Sequence, residues 1–341
     1  MKIDGSRGTR TLITCTILQV LVALACGALA APLAANAQQA RTVPRIGFLS
    51  AASASSVSAR VEAFMAGLRE LGYVEGQNLI IEWRWADGRH DRLPEFAEEL
   101  VRLKPDLIVT HGVVPTLTAK RATAAIPIVF ASADDAVGPG LVSSLARPGG
   151  NVTGLTIMAP ELSGKRLELL REMIPRLTRL AVLRNPTNPV SVPELKETQV
   201  AAASLGLKIQ SLEVADPDGF ARAFSAMTRE RAGALIVLSD AWFLGRHTQI
   251  VGHATNRRLP AIYSTREFVE AGGLMSYGPN LPDLWRRSAT YVDKILKGAK
   301  PADLPVEQPM RFDLVINMKT AKALGLTIPQ TIHIRGPKLI Q

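Results

Sequence analysis

Short apolar runs that end on small polar or acidic residues recur along this chain, and a helix-length amphipathic segment separates each from the next. Residues 45–49, Arg-Ile-Gly-Phe-Leu, close on Ser50 and the loop AASASSVS. A helical stripe follows, Val61, Phe64, Met65 and Leu68, stopped at Leu71-Gly72-Tyr73. Residues 78–85 alternate like an edge strand, with Trp83 and Trp85 read as packing residues, and 91–103 carry the stripe Leu93, Phe96, Ala97, Leu100 and Val101. The strand 107–109 then ends at Thr110-His111-Gly112, a helix is expected over 116–124, and 126–130 is the next strand. Unalternating apolar runs of this length are strands buried on both faces, and parallel strands need a crossover helix between them. The pattern predicts an α/β fold with parallel sheets covered by helices.

Residues 126–158 are the pivot. Between two apolar runs lie Asp134 and Asp135, a helical pattern at Leu141, Val142 and Leu145, and the breaker Arg147-Pro148-Gly149-Gly150-Asn151. Asn151-Val152-Thr153 has the form of a glycosylation sequon but reads here as a turn. After the pivot the rhythm restarts: helix 163–173, strand 180–183, helix 194–205, strand 208–214, helix 220–229, strand 234–238, helix 247–256 and strand 260–263. Residues 274–278 look like a second crossing, followed by a helix over 284–296 and a tail, 306–316 with a helix over 319–324, that closes the second half. Two Rossmann-like lobes joined by hinge strands are expected, the first from 44–155 plus 277–304 and the second from 156–276 plus 305–334.

The N-terminus reads as an address. Lys2, Arg7 and Arg10 precede an apolar run over 12–31, and Ala35-Asn36-Ala37 is a small-x-small cleavage site before Gln38. Lipoprotein processing at Ala23-Leu24-Ala25-Cys26 is the alternative. Cleavage after Ala37 removes 37 of the 341 residues, takes both cysteines, Cys15 and Cys26, and lowers the net charge from +10 to +8. The remaining chain would have no disulfide, thiolate metal site or cysteine nucleophile. Its lysines and arginines are scattered among acids, which argues against a nucleic-acid surface. Gly-x-Ser-x-Gly, His-Glu-x-x-His and Walker A motifs are missing, Gly138-Pro139-Gly140 lacks a third glycine, and His247 and His253 fall on different helix faces. No metal and no cofactor are expected. An exported hydrolase using an Asp pair stays as a minor alternative.

Four phrases carry a resemblance: GLVSSLARPGGNVTGL (140–155), LPAIYSTREFVEAGGLMSYGPN (259–280), ILKGAKPADLPVEQP (295–309) and INMKTAKALGLTIP (316–329). Over residues 44–334 the chain resembles the exported substrate-binding proteins of ABC importers, in the family that includes tryptophan- and aromatic-amino-acid-binding members. Ala136 stands where relatives commonly have Pro, and Arg335-Gly336-Pro337 replaces a common Arg-Ala-Asp tail. The resemblance implies a type I periplasmic-binding-protein-like fold, a location in the periplasm, capture of a small-molecule ligand by a monomer, and delivery to an ABC permease. Presentation of the closed form to a signalling receptor is the alternative.

Ligands of open α/β lobes sit outside the carboxyl ends of the strands. That rule selects Ser50, Ala52, His111, Gly112, Thr116, Ser132, Asp134 and Asp135 from the first lobe. From the second it selects Asn185, Asp240, Trp242, Thr265 and Glu267, with Tyr277 near the crossing. The set suits a zwitterion such as an amino acid: free N–H groups between Gly112 and Thr116 for a carboxylate, Asp134 or Asp240 for an ammonium, and Trp242 for an apolar side chain. Asp135 and Asp240 could instead cap helices, Trp242 could be core, and His111 could face solvent.

Overall fold

The computed structural model describes residues 43–340; the expected signal segment, the expected cleavage site and Cys26 lie outside them. The first sheet takes β1 (Arg45–Ser50), β2 (Ile80–Trp85), β3 (Leu107–Thr110), β4 (Ile128–Ala133) and β5 (Val152–Thr156) in the order β2-β1-β3-β4-β5, all parallel. β1, β3 and β4 are buried along nearly their whole length, because helices cover both faces. β2 is the edge, and there Trp83 and Trp85 stack with centroids 5.4 Å apart and pack on Phe48.

The second sheet takes β6 (Arg179–Arg184), β7 (Lys208–Glu213), β8 (Ala234–Val237), β9 (Ala261–Tyr263), β10 (Met275–Pro279), β11 (Phe312–Asn317) and β12 (Lys338–Ile340), ordered β12-β11-β10-β9-β8-β6-β7. One pair departs from the all-parallel expectation: β10 and β11 are antiparallel. Between them the chain leaves the sheet as the helix Leu281–Leu296, which packs on the first sheet, and then returns. Its return path is stitched to β5, where the Thr153 hydroxyl donates to the Leu304 carbonyl at 2.6 Å and Leu155 bridges Glu307.

Two sequence expectations are corrected. Leu141, Val142 and Leu145 do not lie on a helix: residues 136–150 run as turns, with Leu141 and Val142 buried in the core. Prolines and glycines at 138–140 and 148–150 prevent a continuous hydrogen-bonded turn. The helix expected over 116–124 begins earlier, at Val113, directly after Gly112 with φ +77°.

The helix Leu281–Leu296 is held against the helix Ser58–Glu70 by close backbone approach. A Cβ at Gly67 would lie 2.3 Å from the Arg286 carbonyl oxygen. Helix propensity alone predicts that Gly67→Ala gains roughly 1 kcal/mol. We expect a loss of about 1–3 kcal/mol instead, since the two helices must move apart. A fall in the urea midpoint at constant slope would report it, and a rise would show that the contact yields freely.

Candidate functional site

The carboxyl ends of the two sets of strands face one another across a cavity lined by Arg60, His111, Gly112, Ser132, Asp134, Ile157, Ser239, Asp240, Ala241, Leu244, Ser264, Thr265 and Leu281. Its volume is about 30 Å³, roughly the room one or two waters take. A larger ligand therefore enters only when the walls part.

One wall comes from the loops after β1, β3 and β4. His111 Nε2 lies 2.8 Å from the Ser50 hydroxyl, which also accepts the Ala52 N–H at 3.0 Å. The Trp285 ring sits 5.0 Å from that of His111, and its Nε1–H donates to Ser132 Oγ at 3.2 Å. Burial, with a smaller push from Arg60, takes His111 down to about 3, so it is a neutral imidazole. Asp134, at the end of β4, is pushed up to about 7 by burial and then by the charges of Glu194 and Asp240.

The opposite wall is a polar network. The Asp240 carboxylate accepts from the Phe243 N–H at 2.8 Å, from Asn185 Nδ2 at 3.2 Å and from Asn188 Nδ2 at 3.1 Å, and burial raises its pKa despite those donors. Behind it the fully buried Arg166 donates to Glu194 at 2.9 Å, and Glu194 in turn accepts the Ser239 N–H and hydroxyl. Burial pushes Glu194 up to about 7 against the pull of Arg166. Arg166 Nε also donates to the Tyr277 carbonyl at 2.9 Å, which ties the network to the crossing strand.

Among the described residues one ion pair, Arg60 with Glu267, spans the mouth. Arg60, 2 % exposed on the helix Ser58–Glu70, meets Glu267 of the second half at 2.6 Å. Burial alone would raise the Glu267 pKa; the Arg60 charge and hydrogen bonds outweigh it and leave a net lowering. With Glu267 committed to Arg60 and Glu194 to Arg166, Asp134 and Asp240 are the carboxylates that no ion pair among the described residues neutralises.

Of the residues the strand-end rule selects, His111, Gly112, Ser132, Asp134, Asp240 and Thr265 line the cavity together. The others stand around it. Ser50 and Ala52 form the turn that holds His111. Thr116 turns its hydroxyl to the Gly112 carbonyl and Thr110. Asp135 folds back on the N–H groups of Val137 and Gly138, and Asn185 carries Asp240. Trp242 is 5 % exposed, stacked on Phe220 at 5.5 Å, with the Arg246 guanidinium 4.1 Å above its ring. Glu267 is in the mouth pair, and Tyr277 stacks on Phe312 at 5.9 Å. Arg60, Arg166, Asn188, Glu194, Ser239 and Trp285 were not foreseen. Arg60 and Glu194 have mainly small or apolar neighbours in sequence, a signal that such charges can face inward, whereas Arg166 lies next to Lys165 and gave none. Among the described residues no group of three or more His, Asp or Glu side chains could hold a metal ion, and no helix is long and apolar enough to cross a membrane.

Two facing α/β halves with three crossings and a cavity at the strand ends define a type I periplasmic-binding-protein-like fold. The ABC transporter substrate binding protein family matches residues 45–339, and the chain belongs to it. It is 26% identical over 266 residues to a tyrosine-binding protein of Clostridioides difficile (strain R20291), covering 78% of this chain and 76% of that one. The structure of an ABC domain in complex with L-Trp from Streptococcus pneumonia superposes with a TM-score of 0.82 at 28% identity, covering 88% of this chain and all of that one. A ligand-free, open substrate-binding protein with adhesive properties from Clostridium difficile gives 0.65 at 25% identity, covering 88% of this chain and 99% of that one.

Removing one member of a buried ion pair strands the other, at a cost of about 3–5 kcal/mol. We expect Glu194→Met or Arg166→Met to lower stability by that order, and the double variant Arg166→Met/Glu194→Met to recover most of it. Chemical denaturation of the three proteins measures this; additive losses would show that the pair is not coupled.

Proposed function

We propose that this chain is an exported, periplasmic solute-binding protein that closes on an amino acid, most readily an aromatic one, and delivers it to an ABC permease. The observation that carries this reading is the pair Asp134 and Asp240: two carboxylates with no ion-pair partner among the described residues, walled in between the two halves. Hydrogen-bond donors, Ser132 among them, stand in the same cavity for the other end of a zwitterion. The similar tyrosine-binding protein and the L-Trp complex favour an aromatic side chain. Agreement is better with the L-Trp complex than with the open, ligand-free relative, at similar identity, which supports a closed arrangement here.

The mechanism is a clamp. Closing the halves desolvates Asp134 and Asp240, which is unfavourable until a ligand ammonium enters with them. Ligand preference for the closed form then sets the closed population, and that form docks on the permease.

Isothermal titration should show tryptophan or tyrosine binding and a loss of about tenfold or more in Asp134→Asn and in Asp240→Asn. No binding across the amino acids, or unchanged affinity in both variants, would remove the reading. Asp134 sets the pH dependence. Its pKa is raised on folding, so its neutral form contributes stability that is complete below the ordinary carboxylate range and is lost as pH rises through about 7. An ammonium ligand needs the ionised form, so affinity should rise with pH up to about 7 and then level off, with the rise weakened in Asp134→Asn, where the raised Asp240 alone remains to titrate. N-terminal sequencing of protein recovered from the periplasm should begin at Gln38; a blocked, lipid-bearing Cys26 would replace the soluble form by an anchored one.

A further inference from the structure

Deepening that reading and resting on it, we propose that His111 recognises the ligand's carboxylate as a neutral imidazole whose Nδ1–H is fixed as a donor by Ser50. His111 is 3 % exposed and lines the cavity, and its Nδ1 has no hydrogen-bond partner among the described residues. Its other nitrogen is committed to Ser50.

The direction of that commitment follows from counting protons. A serine hydroxyl has one proton to give and two lone pairs. The Ala52 N–H occupies one lone pair of Ser50 Oγ at 3.0 Å. The hydroxyl proton has two acceptors within view, the Ala52 carbonyl at 3.4 Å and His111 Nε2 at 2.8 Å. An O–H···O bond has its donor and acceptor about 2.5–3.0 Å apart, so the carbonyl at 3.4 Å is much the weaker acceptor. Were Nε2 protonated, the buried hydroxyl would have no proper acceptor. The proton of Ser50 therefore goes to Nε2, and the imidazole's own proton sits on Nδ1. Burial and the neighbouring Arg60 charge keep the ring from taking a second proton.

Trp285 extends the same logic. Its indole N–H can only donate, so Ser132 Oγ accepts from it at 3.2 Å and keeps its own proton free in the cavity wall. The tryptophan ring lies against His111 and limits its rotation. His111 and Ser132 thus present donors to the cavity, while Asp134, on the same wall, and Asp240, opposite, present acceptors. The donors match a carboxylate and the acids an ammonium: carboxylate to His111 and Ser132, ammonium to the two acids. Ser50 acts through His111 and is a positioning residue.

Two measurements on the purified full chain test this. Long-range ¹H–¹⁵N spectra of histidine-labelled, ligand-free protein should give the Nδ1–H tautomer of His111 throughout about pH 5 to 8. Ser50→Ala should convert it to a tautomer mixture. An Nε2–H or doubly protonated ring in the wild type would overturn the proposal. Calorimetry with L-tryptophan and L-tryptophanamide, which keeps the ammonium and loses the carboxylate charge, should show wild-type preference for the acid. His111→Phe should reduce that preference, read as the ratio of the two affinities in one protein, about tenfold or more. Tryptophan binding with an unaltered preference would overturn the His111 assignment and leave the amino-acid reading standing. Wild-type protein that binds neither compound would overturn the amino-acid reading, and the carboxylate role with it.

Discussion

The ion pair between Arg166 and Glu194 is the contact on which the geometry of the second wall depends. Both side chains are fully buried, and isolated charges would not tolerate that environment. Satisfying them fixes four pieces of chain at once: the helices Ala159–Met173 and Ser191–Ser204, the end of β8 through Ser239, and β10 through the Tyr277 carbonyl. The strand that crosses towards the first half is thus referenced to the loop that carries Asp240. Hydrophobic packing of β6, β8 and β9 would hold the sheet together without this pair, but it would leave the strand ends free to shift, and the cavity is made of strand ends.

Charge balance then decides what closure costs. Raising Asp134 from an ordinary 3.8 to about 7 corresponds to roughly 4 kcal/mol against its ionised form, on the order of 1.4 kcal/mol per unit. On the proposed reading that penalty belongs to the closed arrangement, so above neutral pH the ligand-free protein would be under electrostatic pressure to open and an ammonium between the two acids would reverse its sign. The same term would then make binding selective for a cationic group and the closed form dependent on it.

The strand ends were readable because buried parallel strands are continuous apolar runs, and the small polar residues that terminate them are visible at once. His111, Ser132, Asp134 and Asp240 follow from that rule alone. Asp240 shows why competing readings were not exclusive: it caps the short helix Ala241–Leu244 and faces the cavity with the same carboxylate. Trp242 lies just past that cap, and local sequence gave no sign that Phe220 and Arg246 would sandwich it. Arg60 and Glu267 are 207 residues apart, and Glu194 reaches Ser239 across 45. Nothing in a local period reports contacts of that range. The false helix at Leu141 has a local cause: its apolar spacing was right for burial, and burial is what occurs, but proline and glycine on both sides supply the turns instead.

Arg60 and Glu267 complete the argument because they sit where the two halves meet rather than within either. In this arrangement they pair at 2.6 Å, and the Arg60 guanidinium is almost completely buried. Coulomb attraction across the mouth therefore opposes the repulsion between the acids inside. The first favours closure whatever the ligand; the second permits it only with a compensating charge. A clamp built from both terms can keep the ligand-free and ligand-bound forms within a few kcal/mol of each other, which is the condition under which a small molecule can change the population of the form that a partner sees.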